Sequence, residues 1–203
     1  VESSLPFLPT LMKLRPIPVA LMATLTLSRA ELIGYWPFDS LTAPGKDLGP
    51  NNYTLTLQGA FYNTGGKRGG GMSFNGTSAY LLGNIGKLPA AGSPYTISAW
   101  FKPTANGTRG IVGWGNWGAT RQVIALRLDG TNGFRHYWQG ADLNATAATD
   151  YSDGQWHHIA AVYDGTTRAL YMDGSLIGQD TPGSHSATNV SFRIGSTNLG
   201  EFY

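Results

Sequence analysis

Apolar residues in this chain fall in short runs, and the spacing within those runs predicts strands. Residues 123–128 read VIALRL, with the large apolar side chains at every second position. Because successive residues of a strand point to opposite faces, Ile124, Leu126 and Leu128 would share one face and reach a core. The residues between them would share the other face.

The clearest pattern lies between residues 153 and 174. An apolar run over 156–163 is followed by Asp164-Gly165, a second run over 167–172 and a second Asp-Gly pair. Asp-Gly tolerates the positive φ angles of a tight turn, so the pattern predicts a β-hairpin with a further turn after it. Short strands are predicted near residues 33–38, 54–58, 71–74, 79–82, 95–102, 110–114, 122–128, 133–139, 157–163, 167–172, 175–179 and 191–195.

Composition supports one β-rich domain with many turns. The chain has 203 residues, of which 28 are glycine and 13% are charged. This length suffices for a domain with a sizeable core. The sequence contains no cysteine, which excludes disulfides and thiolate metal sites.

The first 30 residues have the pattern of a secretory signal. A basic start at Met12 precedes a mostly apolar run over 17–27, and Ser28-Arg29-Ala30 places small residues where signal peptidase reads them. We therefore expect an upstream extension over 1–11, a signal peptide over 12–30 and one domain over 31–203. The apolar run is too short to span a bilayer, so no membrane insertion is expected.

The charge balance changes once this segment is set aside. It holds three of the 14 Lys and Arg and one of the 12 Asp and Glu, which leaves 11 of each in residues 31–203. A neutral domain has no electrostatic footprint for nucleic acid or for an anionic membrane surface. Neither is therefore an expected partner.

A family pattern is carried by five segments: 34–39 (GYWPFD), 71–81, 95–103, 156–174 and 192–195. In this order they resemble the laminin-G-like domains of the concanavalin A-like lectin/glucanase superfamily. The resemblance implies an all-β fold, a concanavalin A-like jelly-roll β-sandwich of two antiparallel sheets. It also implies a domain that binds a ligand without converting it chemically, although one fold hosts many functions.

The end of the sequence departs from this family pattern. Family members usually continue into a last strand that carries an acidic pair, whereas this sequence stops at Glu201-Phe202-Tyr203. We therefore expect a domain that lacks its last strand, as a C-terminally truncated fragment of a longer product.

Catalysis of the kind found in the glucanases of this superfamily is not expected. Those enzymes carry their two carboxylates as Glu-x-Asp-x-Glu on one strand face. The sequence has glutamate only at Glu2, Glu31 and Glu201, outside the predicted central strands. His157 and His158 are adjacent in a strand, so their rings point to opposite faces and do not chelate one ion. This domain is predicted to be non-catalytic, and an enzyme attached beyond Tyr203 is left open.

Calcium is the metal that the sequence favours. It prefers carboxylate, amide and carbonyl oxygens, and the family resemblance implies a calcium ion at the rim of the sandwich. Asp39 and Asp129 lie in predicted turns and are the candidate ligands. Aspartate is also an ordinary turn former, and no dedicated calcium loop is present.

Carbohydrate is the expected ligand, because aromatic rings stack on sugar faces while amides and charged groups bind hydroxyls. The candidate ligand-binding residues fall in one region: Trp114, Asn116, Trp117, Arg121 and Trp138. Trp117 lies in a glycine-rich loop and is expected to be exposed. Trp36, Trp100 and Trp156 are expected in the core.

The sequence thus predicts a secreted or cell-surface binding module for carbohydrate or cell-surface polysaccharide. Two alternatives stay open: a structural or adhesive domain of a larger surface protein, bound to a matrix or surface protein, and an accessory domain of a secreted glycoside hydrolase. Exposure of Trp114, Trp117 and Trp138 on one sheet would favour the glycan module. Burial of the same residues would favour the structural or adhesive domain.

Overall fold

The computed structural model describes residues 30–197 and 201–203. These residues belong, apart from the first two, to one compact unit, Leu32–Tyr203. The upstream extension and the signal peptide lie outside the described residues except for Ala30, so both stay predictions. Within the described ranges, no helix has the length and apolar character needed to cross a membrane.

Thirteen strands are present in the described residues. They are β1 (Thr56–Gln58), β2 (Phe61–Asn63), β3 (Gly71–Ser73), β4 (Tyr80–Gly83), β5 (Tyr95–Phe101), β6 (Thr108–Gly115), β7 (Val123–Asp129), β8 (Gly133–Tyr137), β9 (Leu143–Thr146), β10 (His157–Tyr163), β11 (Arg168–Met172), β12 (Ser175–Asp180) and β13 (Phe192–Ile194).

The strands form two large antiparallel sheets and one small one. The seven-stranded sheet has the order β1-β4-β13-β6-β7-β8-β9, and the four-stranded sheet has the order β12-β11-β10-β5. Strands β2 and β3 pair separately. The predicted all-β sandwich is confirmed, and so is the hairpin, in which Tyr163 pairs with Arg168 across the Asp164-Gly165 turn.

The core lies between the two large sheets. In β7, Ile124, Leu126 and Leu128 are buried as the alternation predicts. Arg127, on the opposite face, is also buried, with 3% of its surface exposed. Arg127 is buried because Thr197 and Glu201 cover the outer face of the sheet there and bond its guanidinium.

The opening strand predicted near residues 33–38 is absent. The backbone of Tyr35 instead pairs with the following loop, since its N–H donates to Asp47 Oδ1 at 2.8 Å and its carbonyl accepts from Leu48 N at 2.8 Å. One aspartate side chain thus takes the place of a neighbouring strand.

Two strands, β2 and β9, were not predicted. Strand β9 alternates Leu143 and Ala145, which are buried, with Asn144 and Thr146, which are exposed. It lies at the edge of its sheet, where short polar strands are common, so its apolar signal is weak.

The last described residues return to the sandwich. Tyr203 N donates to Gly195 O at 2.9 Å, and Ser196 forms an isolated antiparallel bridge with Phe202. The Tyr203 ring lies 6.0 Å from Phe74 and packs against the core. A further strand beyond Tyr203 stays a prediction.

A buried polar cluster joins the two sheets. The Tyr95 hydroxyl of β5 accepts from Trp138 Nε1 at 2.7 Å and lies 2.6 Å from His136 Nε2. Burial, followed by the nearby charge of Arg168, lowers the pKa of His136, so its ring is neutral at neutral pH. Among the described residues the Tyr95 hydroxyl has no other acceptor for its own proton, so it donates to His136 Nε2.

Candidate ligand-binding face of the seven-stranded sheet

A row of paired residues crosses the outer face of the seven-stranded sheet. Paired residues of neighbouring strands point to the same face. The pairs Thr56–Leu82, Leu82–Arg193, Arg193–Gly113, Gly113–Ala125 and Ala125–Tyr137 therefore place one continuous line of positions on that face. We call this line the cross-sheet row.

Trp117 lies on the cross-sheet row because Gly113 has no side chain. A Cβ atom built at Gly113 would lie 3.1 Å from Cη2 of Trp117, so the indole ring occupies the space above the glycine. The ring is nearly parallel to that of Tyr137, with an interplanar angle of 16° and centroids 6.4 Å apart. Both residues are partly exposed. We call them the aromatic pair.

The loop before β7 positions Trp117. Asn116 N donates to Gln122 O at 2.9 Å, which closes the loop at its base. Gly118 N donates to Gln139 Oε1 at 2.9 Å, which ties the residue after Trp117 to the chain beyond β8. The tryptophan is thus folded back over the sheet instead of extending into solvent.

Arg127 packs between the aromatic pair and the last residues of the chain. Its guanidinium carbon lies 3.7 Å from the centroid of the Tyr137 ring. The guanidinium forms an ion pair of 2.6 Å with Glu201, and Nε donates to Thr197 Oγ1 at 3.0 Å. Burial lowers the pKa of Arg127 although Glu201 opposes this. Glu201 is therefore held as a counter-ion to a buried cation.

An open depression of about 600 Å³ adjoins the other end of the cross-sheet row. Thr56 and Leu82 belong to both, so the depression and the row form one continuous surface. Its lining is rich in hydrogen-bonding groups: Asn52, Tyr53, Thr54, Thr56, Leu82, Gly83, Asn84, Asn189, Val190 and Ser191. Asn189 donates one bond to Gly86 O at 2.8 Å, which fixes its amide.

The structure separates the five residues predicted to bind a ligand. Trp114 and Trp138 are in the core, with 3% and 0% of their surfaces exposed. Trp114 pairs with Ile124 on the inner face, and its Nε1 donates to Pro89 O at 3.2 Å. Of these three tryptophans, Trp117 alone is partly exposed, and it packs on Tyr137.

Asn116 and Arg121 hold the loop. Asn116 Nδ2 donates to Gln122 Oε1 at 3.0 Å. One terminal nitrogen of Arg121 donates to Pro182 O at 2.6 Å and to Ser184 O at 3.2 Å. Their side chains thus position the segment that carries Trp117.

The two candidate calcium ligands have protein partners. Asp39 Oδ1 accepts from Gly70 N at 3.0 Å. Asp129 forms an ion pair with Arg135 and accepts from Thr108 Oγ1 at 3.3 Å. Among residues 30–197 and 201–203, no three His, Asp or Glu side chains converge on a possible metal position. Backbone and amide oxygens also bind calcium, so the ion stays a prediction.

Trp100 was expected in the core, and this expectation is wrong. Its neighbours Tyr95, Ile97 and Phe101 in β5 take the inner face, which leaves 48% of Trp100 exposed on the four-stranded sheet. The ring lies 5.1 Å from His158 and 4.5 Å from Lys67 Nζ.

His157 and His158 lie on opposite faces of β10. His157 Nδ1 lies 2.8 Å from Asp173 Oδ2, and Nε2 lies 3.0 Å from Asp153 Oδ1. Burial disfavours the charged ring, but the two carboxylates outweigh it and raise the pKa of His157. The arrangement joins the start of β10 to the turn after β11.

Comparisons with known proteins agree with this architecture. The chain resembles the binding domain of Paraclostridial Mosquitocidal Protein 1, with a TM-score of 0.61 and 18% identity, covering 77% of this chain and 43% of that one. It also resembles domain 4 of AbnA, a GH43 extracellular arabinanase from Geobacillus stearothermophilus, solved in complex with arabinotriose. That match has a TM-score of 0.56 and 21% identity, and covers 82% of this chain and 84% of the other.

At these identities the two structures show the fold alone. Comparison with curated protein sequences gives no match. A laminin-G-type family model, described as the concanavalin A-like lectin/glucanases superfamily, matches residues 74–203, more than half of the chain. The chain therefore belongs to the concanavalin A-like lectin/glucanases superfamily.

Proposed function

We propose that this domain is a non-catalytic, extracellular carbohydrate-binding module, and that an oligosaccharide lies along the cross-sheet row. The aromatic pair is the observation that carries the proposal. Trp117 and Tyr137 present two nearly parallel, partly exposed rings on one sheet face. Small-molecule sites are characteristically lined by aromatic groups with a few well-placed polar groups.

The depression supplies the polar groups. Asn52, Asn84 and Asn189 each carry an amide that both donates and accepts, as a sugar hydroxyl requires. Because the depression and the aromatic pair lie at opposite ends of the same row, a chain of several sugars fits the surface better than a single sugar does.

The arabinanase domain supports an accessory role. It matches this chain over most of both lengths, and its structure is of a complex with arabinotriose. An accessory module of a secreted glycoside hydrolase would bring an attached enzyme to its polysaccharide. The module itself would need no catalytic carboxylates, in keeping with Glu201 acting as the partner of Arg127.

A structural or adhesive domain is the second candidate. The burial of Trp114 and Trp138 favours it, since it leaves Trp117 as the one tryptophan on the cross-sheet row. The exposed Trp100 and Leu176 on the four-stranded sheet, at 48% and 49%, also offer apolar surface to a protein partner.

Electrophoresis through gels that contain arabinan, β-glucan, xylan or polygalacturonate tests the proposal. We expect at least one polysaccharide to retard the wild-type domain and Trp117→Ala to lose this retardation, with an affinity loss of about tenfold or more, as for a central aromatic contact. Trp100→Ala is the matched control, because it removes a more exposed indole from the other sheet.

Circular dichroism would verify that each variant is folded, since the Trp117 ring also packs on Gly113 and Tyr137. Retention unchanged in Trp117→Ala, or lost in Trp100→Ala, would contradict the site. Binding of the domain to a protein partner through the Trp100 face, without retention by any polysaccharide, would favour the adhesive candidate.

A further inference from the structure

We infer that the glycan recognised on this face is acidic, and that Arg193 receives its carboxylate or sulfate group. The inference rests on the proposed function and names the class of ligand for the same surface. Arg193 lies in β13, near the middle of the seven-stranded sheet, and is partly exposed.

Arg193 occupies the centre of the cross-sheet row. It pairs with Leu82, which lines the depression, and with Gly113, which is covered by Trp117. Ser191, two residues earlier, also lines the depression. A sugar chain lying from the depression to the aromatic pair therefore passes over the guanidinium.

The other arginines near the two sheets are already satisfied by protein groups. Arg127, Arg135 and Arg168 form ion pairs with Glu201, Asp129 and Asp180, and Arg109 and Arg121 donate to backbone carbonyls. Within the described part of the chain, Arg193 has neither an ion pair nor a hydrogen-bond acceptor. The guanidinium carbon of Arg193 lies 5.0 Å from the centroid of the Tyr80 ring.

This arrangement is costly for the protein alone. Nε of Arg193 is buried without a partner, which is unfavourable, and the two terminal nitrogens, which are not buried, are the donors left for an anion. The Tyr80 ring restrains the guanidinium, so little side-chain freedom remains to be lost when an anion binds. The planar fork of donors matches the paired oxygens of a carboxylate or sulfate.

A neutral sugar would leave the positive charge of Arg193 without a counter-ion beneath it. Glu201 and Asp129 do not fill that role, because they are held by Arg127 and Arg135. Asp142 accepts from Trp138 N at 2.9 Å and lies near Tyr137 and Arg127, at the aromatic end of the row. Among the residues described, Arg193 is therefore the one arginine of the cross-sheet row, and it has no carboxylate partner. An anionic sugar placed over β13 supplies one.

Paired polysaccharides that differ only in charge provide the test. Polygalacturonate, with a carboxylate on every sugar, is compared with its methyl ester, and dextran sulfate is compared with dextran, by calorimetric titration of the whole chain. The wild type should bind one or both anionic forms at least about tenfold more tightly than the neutral counterpart. Which pair shows the preference distinguishes a carboxylate ligand from a sulfate ligand.

Arg193→Gln should lower the affinity for the preferred anionic form by about tenfold to a hundredfold and remove the preference. Arg193→Lys keeps the charge but loses the fork, so it should restore part of the preference. Arg68→Gln is the matched control, because Arg68 is exposed in a different glycine-rich loop, over residues 65–71, and its loss changes the net charge equally. This control should retain the preference, and thermal melts should show that each variant is folded.

Equal binding of anionic and neutral forms by the wild type would overturn the acidic ligand and leave the carbohydrate module standing. A preference that survives in Arg193→Gln, or that disappears equally in Arg68→Gln, would also overturn it, since general charge attraction would then suffice. If the wild type bound none of the four polysaccharides and none of those in the gel assay, both proposals would be wrong.

Discussion

The Tyr95 hydroxyl is the atom whose removal the structure most clearly predicts to be damaging. It accepts from Trp138 Nε1 and donates to His136 Nε2, and both partners are fully buried. In Tyr95→Phe, one donor and one acceptor lose their partner without access to water. Moving the imidazole proton to the other nitrogen gives no relief, because His136 Nδ1 has no partner either.

Each buried polar group left without a partner costs about 1–3 kcal/mol, so the two together should reduce the free energy of unfolding by about 3 kcal/mol. For a domain of this size, that loss corresponds to a fall in melting temperature of about 6–12 °C. The substitution removes a single oxygen and leaves the ring packing in place, so no new cavity of consequence forms. The loss therefore reports the hydrogen bonds.

Calorimetry and urea unfolding of the wild type, Tyr95→Phe and Tyr171→Phe would measure this. Tyr171 is the control, because it lies on the outer face of β11, is partly exposed and loses the same atom. Its melting temperature should change by less than about 2 °C. Equal melting temperatures for both variants would refute the account of the buried cluster.

Two further substitutions test other parts of the structure. The pKa of His157 is raised, so its ion pairs with Asp153 and Asp173 stabilise the fold fully below pH 6.5 and are lost as the pH rises through the raised pKa. The pKa values of the two carboxyls are lowered, so their stabilising contribution persists until the pH falls below about 3.8. Urea unfolding at several pH values should therefore show that His157→Gln lowers the free energy of unfolding most between about pH 3.8 and pH 6.5. A loss of stability that grows towards pH 9 would contradict this. In Gly113→Val the added Cβ would lie 3.1 Å from Trp117 Cη2 and 2.8 Å from Ala125 Cβ, so the indole ring and the neighbouring β7 must both shift. Polysaccharide retention should then be lost while the sheet signal in circular dichroism persists. Undiminished retention would show that the ring position is irrelevant to binding.

Most of the fold could be predicted because its signals are local. The Asp164-Gly165 turn sits between two apolar runs, and the alternation in β7 marks its inner face. The strand predicted over residues 33–38 was wrong because the segment is apolar, and yet the N–H group of Tyr35 donates to the Asp47 side chain in a later loop instead of to a neighbouring strand. Strand β9 was missed because half of its residues are small or polar.

The candidate site could be predicted only in part, because it depends on register between strands far apart in sequence. Trp117 was identified from its glycine-rich loop, but the same reasoning could not show that Gly113 makes room for it. The alternation Phe134, His136, Trp138 in and around β8 could have placed Trp138 in the core, had the buried face been known. Arg193 has no local signal, since its significance comes from being the unpaired cation in the row.

The indole N–H signals of the protein test the central claim most directly. The chain has six tryptophans, so a ¹H–¹⁵N correlation spectrum resolves a small set of peaks that single Trp→Phe variants can assign. On titration with arabino-oligosaccharides and oligogalacturonates, the account predicts that the Trp117 peak moves with saturation while the Trp100 peak stays in place. Movement of the Trp100 peak alone, or of none under either titration, would contradict a carbohydrate site on the seven-stranded sheet.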